Sequence, residues 1–284
     1  MEILSKKFGN IQCNNEYDEL HRVILCEPQF MTIRDVINET QEYYKHENIN
    51  INRAIQQHAQ FCHLLNEHGI EVIKLSPSKQ YPEQVFTRDI GFTIGQNIFT
   101  AEMAADIRQG EEHELKKWLE SEQISYHALS EDSIEGGDVI VDGHNLYVGI
   151  SSRTNKASIQ ELTRLLPGYE ILPISLNQRY LHLDCVFNII SPEEALIFPQ
   201  AIDQITVNML SSRFDLIEVT EKEQFTLGTN VLSIGRKKVF SLMGNHDINN
   251  RLRERGYHVI EVDITEIIKS GGSFRCCTLP ILRG

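Results

Sequence analysis

Four short hairpins recur along this chain at a nearly constant spacing, and that period restricts the fold more than any other feature. Each consists of two apolar strands joined by a turn. They are "DIGFTIGQNIFTA" (89–101), "DVIVDGHNLYVGI" (138–150), "CVFNIISPEEALIFP" (185–199) and "NVLSIGRKKVFSL" (230–242). Their starts lie 49, 47 and 45 residues apart. A period of about 20–50 residues marks an architecture built from repeated units that stack on one another. The next unit is due near residue 275, where "RCCTLPILR" has one apolar strand before the sequence stops. Its missing partner is the early apolar segment "RVILCEP" (22–28), so the two ends of the chain close a ring.

Between the hairpins the pattern predicts an amphipathic helix followed by a further strand. Helices are expected over 52–68 ("NRAIQQHAQFCHLLNEH"), 105–122 ("ADIRQGEEHELKKWLESE") and 154–166 ("TNKASIQELTRLL"). Thr154 or Asn155 can cap the last of these, and Gly69 suits the C-terminus of the first. The strands after the helices are "EVIKL" (71–75), "ISYHAL" (124–129), "YEILPI" (169–174), "DLIEV" (215–219) and "HVIEV" (258–262). The fold class is α/β: about five ββαβ units in one closed, pseudo-symmetric domain spanning 1–284.

Composition limits the partners. Net charge is −13, which argues against nucleic acid, because phosphate binding needs a basic surface. No stretch approaches the roughly 18 consecutive apolar residues of a membrane span, and "MEILSKKFGN" lacks the apolar core of a signal peptide. A cytosolic protein is expected, and a homodimer is compatible with the sequence. The six cysteines form no C-x-x-C pair, so a structural zinc site has no support. If the tail is a strand throughout, adjacent Cys276 and Cys277 point to opposite faces.

Ionisable residues cluster just before each hairpin. "FTRD" brings Asp89, "EGGD" brings Glu135 and Asp138, "LHLDC" brings His182 and Asp184, and "RCC" brings Cys276. The fourth unit's "EKEQFTLGTN" is less obviously chemical. In a closed ring, equivalent strand ends converge on the axis, so these groups meet. A thiolate can act as nucleophile, a His can move protons and a carboxylate can orient that His. The surplus carboxylates suit a cationic, planar group rich in N–H donors, and a guanidinium fits best.

"FTRD", "EGGD", "VGISSRTN", "LHLD" and "GGSFRCCTLPI" together resemble the guanidine-modifying superfamily. That group comprises arginine deiminases, dimethylarginine dimethylaminohydrolases, agmatine deiminases and amidinotransferases. The resemblance runs from about residue 18 to the C-terminus. It implies a five-bladed α/β propeller of ββαβ modules (the pentein fold), in agreement with the period. It further implies Cys276 as nucleophile, His182 as general acid and base, and Glu135 as its support. Asp89 and Asp184 would grip the guanidinium. Arg153 would bind a substrate α-carboxylate, with Arg108 assisting.

The reaction implied is hydrolysis of a guanidinium C–N bond through a covalent Cys intermediate, giving citrulline with ammonia or an alkylamine, without metal or cofactor. Arginine and N-methylated arginine both remain open. The second carboxylate, Asp184, favours arginine, because a dimethylated nitrogen has no N–H to offer it; the short chain favours the dimethylarginine enzymes. An amidinotransferase using an amine acceptor shares the same catalytic set, and a non-catalytic guanidine-binding protein is the reading from another class. Plainer roles are expected elsewhere: Cys185 as a packed core thiol, and His58, His63 and His68 as surface residues, since a five-residue spacing does not align them on one helix face.

Overall fold

The computed structural model describes residues 11–129 and 132–284. Five three-stranded sheets stand around an axis. In each, the first strand runs antiparallel to the second and the second parallel to the third. The first blade is Gly91–Ile94, Asn97–Thr100 and His127–Ala128. The second is Val139–Asp142, Asn145–Ile150 and Glu170–Ser175. The third is Phe187–Ile189, Glu194–Ile197 and Asp215–Glu218, and the fourth is Leu232–Ser233, Lys238–Leu242 and His258–Val262. The fifth joins the C-terminal strand Leu279–Arg283 to Leu20–Cys26 and Glu71–Leu75. The expected closure of the ring by the chain ends is therefore present, and the fold is the five-module propeller.

The apolar runs of the strands follow from this arrangement. A blade has a neighbour on each face, so both faces of its strands are buried and alternation of apolar with polar residues disappears. Alternation persists instead as a division between two cores. Val139 and Val141 pack with Phe92, Ile94 and Phe99 of the first blade, whereas Ile140 between them packs with Phe187 of the third. Val23 and Leu25 join Phe240 of the fourth blade, while Ile24 and Cys26 join Ile90 and Ile98 of the first.

Local departures from expectation have local causes. The helix expected over 105–122 divides into a short turn, Asp106–Arg108, and a helix, Glu112–Ser121, on either side of Gly110, whose φ of +96° is incompatible with a right-handed helix. The strand expected over 124–129 shortens to His127–Ala128. The helix Ile51–Glu67 is capped by Asn50, and Lys156–Leu165 by Asn155. His58 is not a surface residue: it is fully buried on the inner face of its helix, with Nδ1 3.6 Å from Cys62 Sγ. Its neighbours Ala54, Phe61, Cys62 and Leu65 define the buried stripe, which the five-residue His spacing obscured. No helix among the described residues is long and apolar enough to cross a membrane.

On one side of the axis, residues 12–16 run beneath the ring, bridging to the tail strand at Leu282 and to the hairpin turns at Gly95 and Asp142. This run carries Glu16 into a buried group of three arginines. Glu16 bonds Arg275 and lies 3.7 Å from Arg88, while Arg275 also donates to Val139 O at 2.9 Å and Arg283 to Ser233 O at 2.9 Å. Burial opposes the charge on Glu16, but Arg275 and Arg88 outweigh it and hold its carboxyl down at about 2. Replacing Glu16 by Gln removes the anion that these buried cations share, and loss of one member of such a pair costs about 3–5 kcal/mol. Urea denaturation at neutral pH should show a loss of that size. The wild-type contribution is complete above the ordinary glutamate value and disappears as pH falls through about 2, so the gap between wild type and Glu16→Gln should narrow in acid.

Candidate active site

Asp89, Asp138, Asp184, Asn230 and Cys276 stand at equivalent positions just before or at the first strand of successive blades, 49, 46, 46 and 46 residues apart. Hydrogen bonds link each blade to the next around the axis. Gly136 N–H donates to Asp89 O (3.1 Å), and Leu183 N–H to Asp138 Oδ1 (2.8 Å). Asn230 Nδ2 donates to Asp184 O (3.1 Å), and Cys276 N–H to Asn230 Oδ1 (3.1 Å). Arg88 N–H then donates to Cys276 O (3.0 Å), returning the circuit to the first blade.

Above this circuit lies a narrow cleft lined by Glu83, Phe86, Asp89, Arg108, His182, Gly272 and Cys276. It adjoins an outer cleft lined by Glu39, Arg179, Tyr180, Cys185 and Phe225. Asn38, Leu181 and Gly271 line both. Asn38 caps the short helix Glu39–Tyr44 and donates to Ser270 O at 3.0 Å. The polar segment 27–50 therefore reaches the site through its centre.

Within the cleft, His182 Nε2 lies 2.7 Å from Glu135 Oε2, and His182 Nδ1 lies 3.6 Å from Asp89 Oδ1. Nδ1 and Asp89 Oδ1 are buried without a hydrogen-bond partner. Burial disfavours the imidazolium, but Asp89 and the bond to Glu135 prevail and raise its pKa. Glu135 is likewise opposed by burial, and its bond to His182, with Arg108 and Arg153 nearby, lowers it. The pair is thus an ion pair: a proton-bearing ring held by a carboxylate.

The glycines of "EGGD" permit this approach. A Cβ on Gly137 would stand 2.7 Å from His182 Nδ1 and 2.9 Å from Asp89 Oδ1; one on Gly136 would stand 2.1 Å from Arg88 O.

The remaining expected residues lie close by, with partners of their own. Asp184 is buried with Oδ2 3.8 Å from Cys276 Sγ and 3.3 Å from Arg275 Nε; burial raises its pKa, and Arg275 opposes the rise. Arg108 is engaged: Nη1 donates to Asp89 Oδ2 at 2.7 Å and Nη2 to Glu111 at 2.8 Å. Arg153 Nη2 donates to Ile37 O at 3.1 Å, and its Nη1 is buried without a hydrogen bond, 3.6 Å from Glu135. Cys276 and Cys277 occupy a turn, with the strand beginning only at Leu279, and both are buried. The alternation expected of a strand does not apply to them.

Three residues escaped the sequence reading, and a fourth, Cys185, is buried as expected but beside the site. Asn230 was marked by the repeat phase, at the one strand start that looked chemically silent. Glu83 had no motif around it. It is a buried carboxylate on the cleft, bonded by Ser270 Oγ (2.8 Å) and Gln41 Nε2 (2.9 Å), and burial pushes it up to about 7. Arg275 was visible only as part of the cysteine motif. Cys185 lies in a turn, Leu183–Cys185, beside Asp184 and Cys276. Two sets could hold a cation, Asp184–Cys185–Cys276 and Asp89–Glu135–His182. In the second, a protonated imidazole is no ligand.

The five-bladed ring with a Cys, a His–Glu pair and flanking carboxylates at its axis defines a guanidine-modifying enzyme. The family described as eukaryotic N,N dimethylarginine dimethylhydrolase matches residues 27–283, and the chain belongs to it. It is accordingly a hydrolase acting on guanidino C–N bonds. The chain is 55% identical to the uncharacterized protein YkgA of Bacillus subtilis, across 96% of this chain and 95% of that one. It is 26% identical to the N(G),N(G)-dimethylarginine dimethylaminohydrolase of Mycobacterium tuberculosis, covering 92% and 85%. The crystal structure of the N-terminal domain of the cyanobacterial arginine dihydrolase ArgZ, bound to product, superposes with a TM-score of 0.85 at 27% identity, over 94% of this chain and 98% of that domain. The chain spans only 37% of the full bifunctional arginine dihydrolase/ornithine cyclodeaminase ArgZ of Synechocystis.

Gly137→Ala should force His182 and Asp89 apart. Overpacking of this kind costs about 1–3 kcal/mol. Urea unfolding should show that loss, and the NMR resonances of the His182 ring should shift as its contact with Asp89 is broken.

Proposed function

We propose that this protein hydrolyses the guanidinium of arginine to citrulline and ammonia, with Cys276 as nucleophile. The observation that carries the reading is two buried carboxylates near the cysteine: Asp184, 3.8 Å from its sulfur, and Asp89, which lines the same cleft as Cys276 and has an unpartnered oxygen beside His182. An unsubstituted guanidinium offers N–H donors to both. A dimethylated nitrogen offers none and would leave one carboxylate desolvated and unpaired, at about 1–3 kcal/mol.

In this mechanism the guanidinium docks between Asp89 and Asp184, and its charge favours the thiolate. The Cys276 sulfur attacks the guanidine carbon, forming a C–S bond. The imidazolium of His182 delivers its Nδ1 proton to the departing nitrogen, and ammonia leaves. His182, now neutral, takes a proton from water, whose oxygen attacks the same carbon and releases the thiolate with a ureido product. Glu135 stabilises the imidazolium at both ends of the cycle. Membership of a hydrolase family supports water, rather than an amine, as acceptor.

The amino-acid end of the substrate has matching groups. Arg153, with an unbonded Nη1, suits the α-carboxylate, and Arg108 could join it only by loosening from Asp89 and Glu111. Glu83 suits the α-ammonium: it lines the cleft and makes no ion pair among the described residues.

A citrulline assay with arginine, monomethylarginine and asymmetric dimethylarginine tests the reading. Arginine should be preferred over the dimethylated substrate by roughly tenfold or more in kcat/KM, the equivalent of one unpaired buried carboxylate. Preference for the methylated substrate would refute Asp184 as a guanidinium ligand. Ammonia should be counted in parallel, since two per arginine would extend the reading to a second hydrolysis. Cys276→Ser and His182→Ala should each lower kcat by at least about 10²-fold; near-normal turnover in either would sink the mechanism.

A pH dependence follows from Glu83. Its folded value is raised to about 7, so it becomes an anion only as pH rises through neutrality. The kcat/KM for arginine should therefore climb across that range, mainly through KM, and Glu83→Gln should remove the climb.

A further inference from the structure

Cys185 is absent from the mechanism, yet it sits against the nucleophile. The Cys185 sulfur, the Cys276 sulfur and an Asp184 oxygen all lie within 4.8 Å of one another. Asp184 Oδ1 is 3.7 Å from Cys185 Sγ and 3.9 Å from Cys276 Sγ. The two backbones are held together by one side chain, since Asn230 accepts from Cys276 N–H and donates to Asp184 O. Thr229 Oγ1 also donates to Cys185 O. A disulfide needs sulfurs about 2.05 Å apart on backbones that are already near each other, and the bonds through Asn230 hold these two segments together. The other cysteines are placed differently. Cys277 follows Cys276 within the same turn, and it and Cys62 pack in the apolar cluster of the fourth and fifth blades, while Cys26 lies in the cluster of the first blade and Cys13 bridges to Gly95.

We propose that Cys185 is a resolving thiol for Cys276, and that peroxide converts the two into a reversible intramolecular disulfide that switches the enzyme off. The inference rests on the reading of Cys276 as a reactive thiolate. Each thiol lines a cleft through which a small oxidant can arrive, Cys276 the inner and Cys185 the outer.

In the first step the Cys276 thiolate attacks a peroxide oxygen. An S–O bond forms, the O–O bond breaks, and the departing hydroxide or alkoxide takes a proton from His182. Cys276 is then a sulfenic acid. In the second step Cys185 gives its proton to Asp184, and its sulfur attacks the sulfenic sulfur. The S–S bond forms, the S–O bond breaks, and hydroxide leaves as water with the proton that Asp184 received. Two thiols are oxidised and one peroxide is reduced. An external dithiol reverses the state by exchange. The hydrogen bond to Cys276, burial and the charge of Asp184 keep Cys185 a thiol at rest, and Asp184 Oδ1, 3.7 Å from its sulfur, is a base within reach of its proton. Without Cys185 the sulfenic acid persists and a second peroxide takes it irreversibly to the sulfinic acid.

The test uses the whole chain with hydrogen peroxide as probe. After brief oxidation, free thiols are alkylated under denaturing conditions and the peptides are mapped by mass spectrometry without reduction. Wild type should yield a Cys185–Cys276 cross-linked peptide, and dithiothreitol should restore roughly nine-tenths of the lost citrulline formation. Cys185→Ser and Cys185→Ala should yield Cys276 sulfinic acid, with less than about one-tenth of the lost activity recovered. No cross-link in the wild type, with Cys276 sulfinic acid forming as fast as in the variants, would overturn the proposal whether or not the variants fold. A cross-link in a protein inert toward arginine would uphold the thiol pair while refuting the substrate reading.

Discussion

The pairing of Leu279–Arg283 with Leu20–Cys26 is the contact on which the remainder of the molecule depends. The strand immediately follows the turn that carries Cys276, and its partner is more than 250 residues away in sequence. Until those ends meet, the fifth blade does not exist, the first and fourth blades lack a neighbour, and the hydrogen-bond circuit around the axis is open. Cys276 itself supplies two links of that circuit, accepting from Arg88 and donating to Asn230. Completing the fold and positioning the proposed nucleophile are therefore one event.

The axis gathers charges as well as strand ends. On one side, Arg88, Arg275 and Arg283 surround Glu16; on the other, Asp89, Glu135, Glu83 and Glu111 surround Arg108, Arg153 and His182. Buried charges are tolerated only when paired, and the two groups meet at Asp184, whose Oδ2 lies against both Arg275 Nε and Cys276 Sγ. In the proposed reading, bound substrate would add a cation beside Asp89, whose Oδ1 is buried without a hydrogen-bond partner. This arrangement explains why burial alone fails to neutralise His182: the ring is desolvated, but the carboxylates around it outweigh that cost.

Much of this architecture was legible because a propeller repeats itself. The 45–49-residue period exposed the hairpins, the apolar tail and the convergence of strand ends. It places Cys276, His182, Glu135, Asp89 and Asp184 at strand ends that converge on the axis. The misreadings share a cause. His58 looked exposed because three histidines were judged by their own spacing and not by the apolar stripe of the helix they occupy. Whether Cys277 lies in a strand stays open in the sequence, because an apolar run does not show where a turn gives way to extended chain. Glu83 and Asn230 were passed over because neither has a local motif; each matters through what packs on it from distant segments.

The sequence by itself determined the blades, their number, the residues that start each first strand and the chemical type of the centre. Those follow from periodicity and residue chemistry, which are local. Tertiary structure alone decided the distances: which ring nitrogen of His182 meets Glu135, that Arg108 is held by Asp89 and Glu111, that Glu83 faces the cleft, and that Cys185 lies against Cys276. Electrostatic and hydrogen-bond strengths change steeply over an ångström or two. The separations here are set by ring closure between segments far apart in the chain, so no pattern along the sequence could carry them.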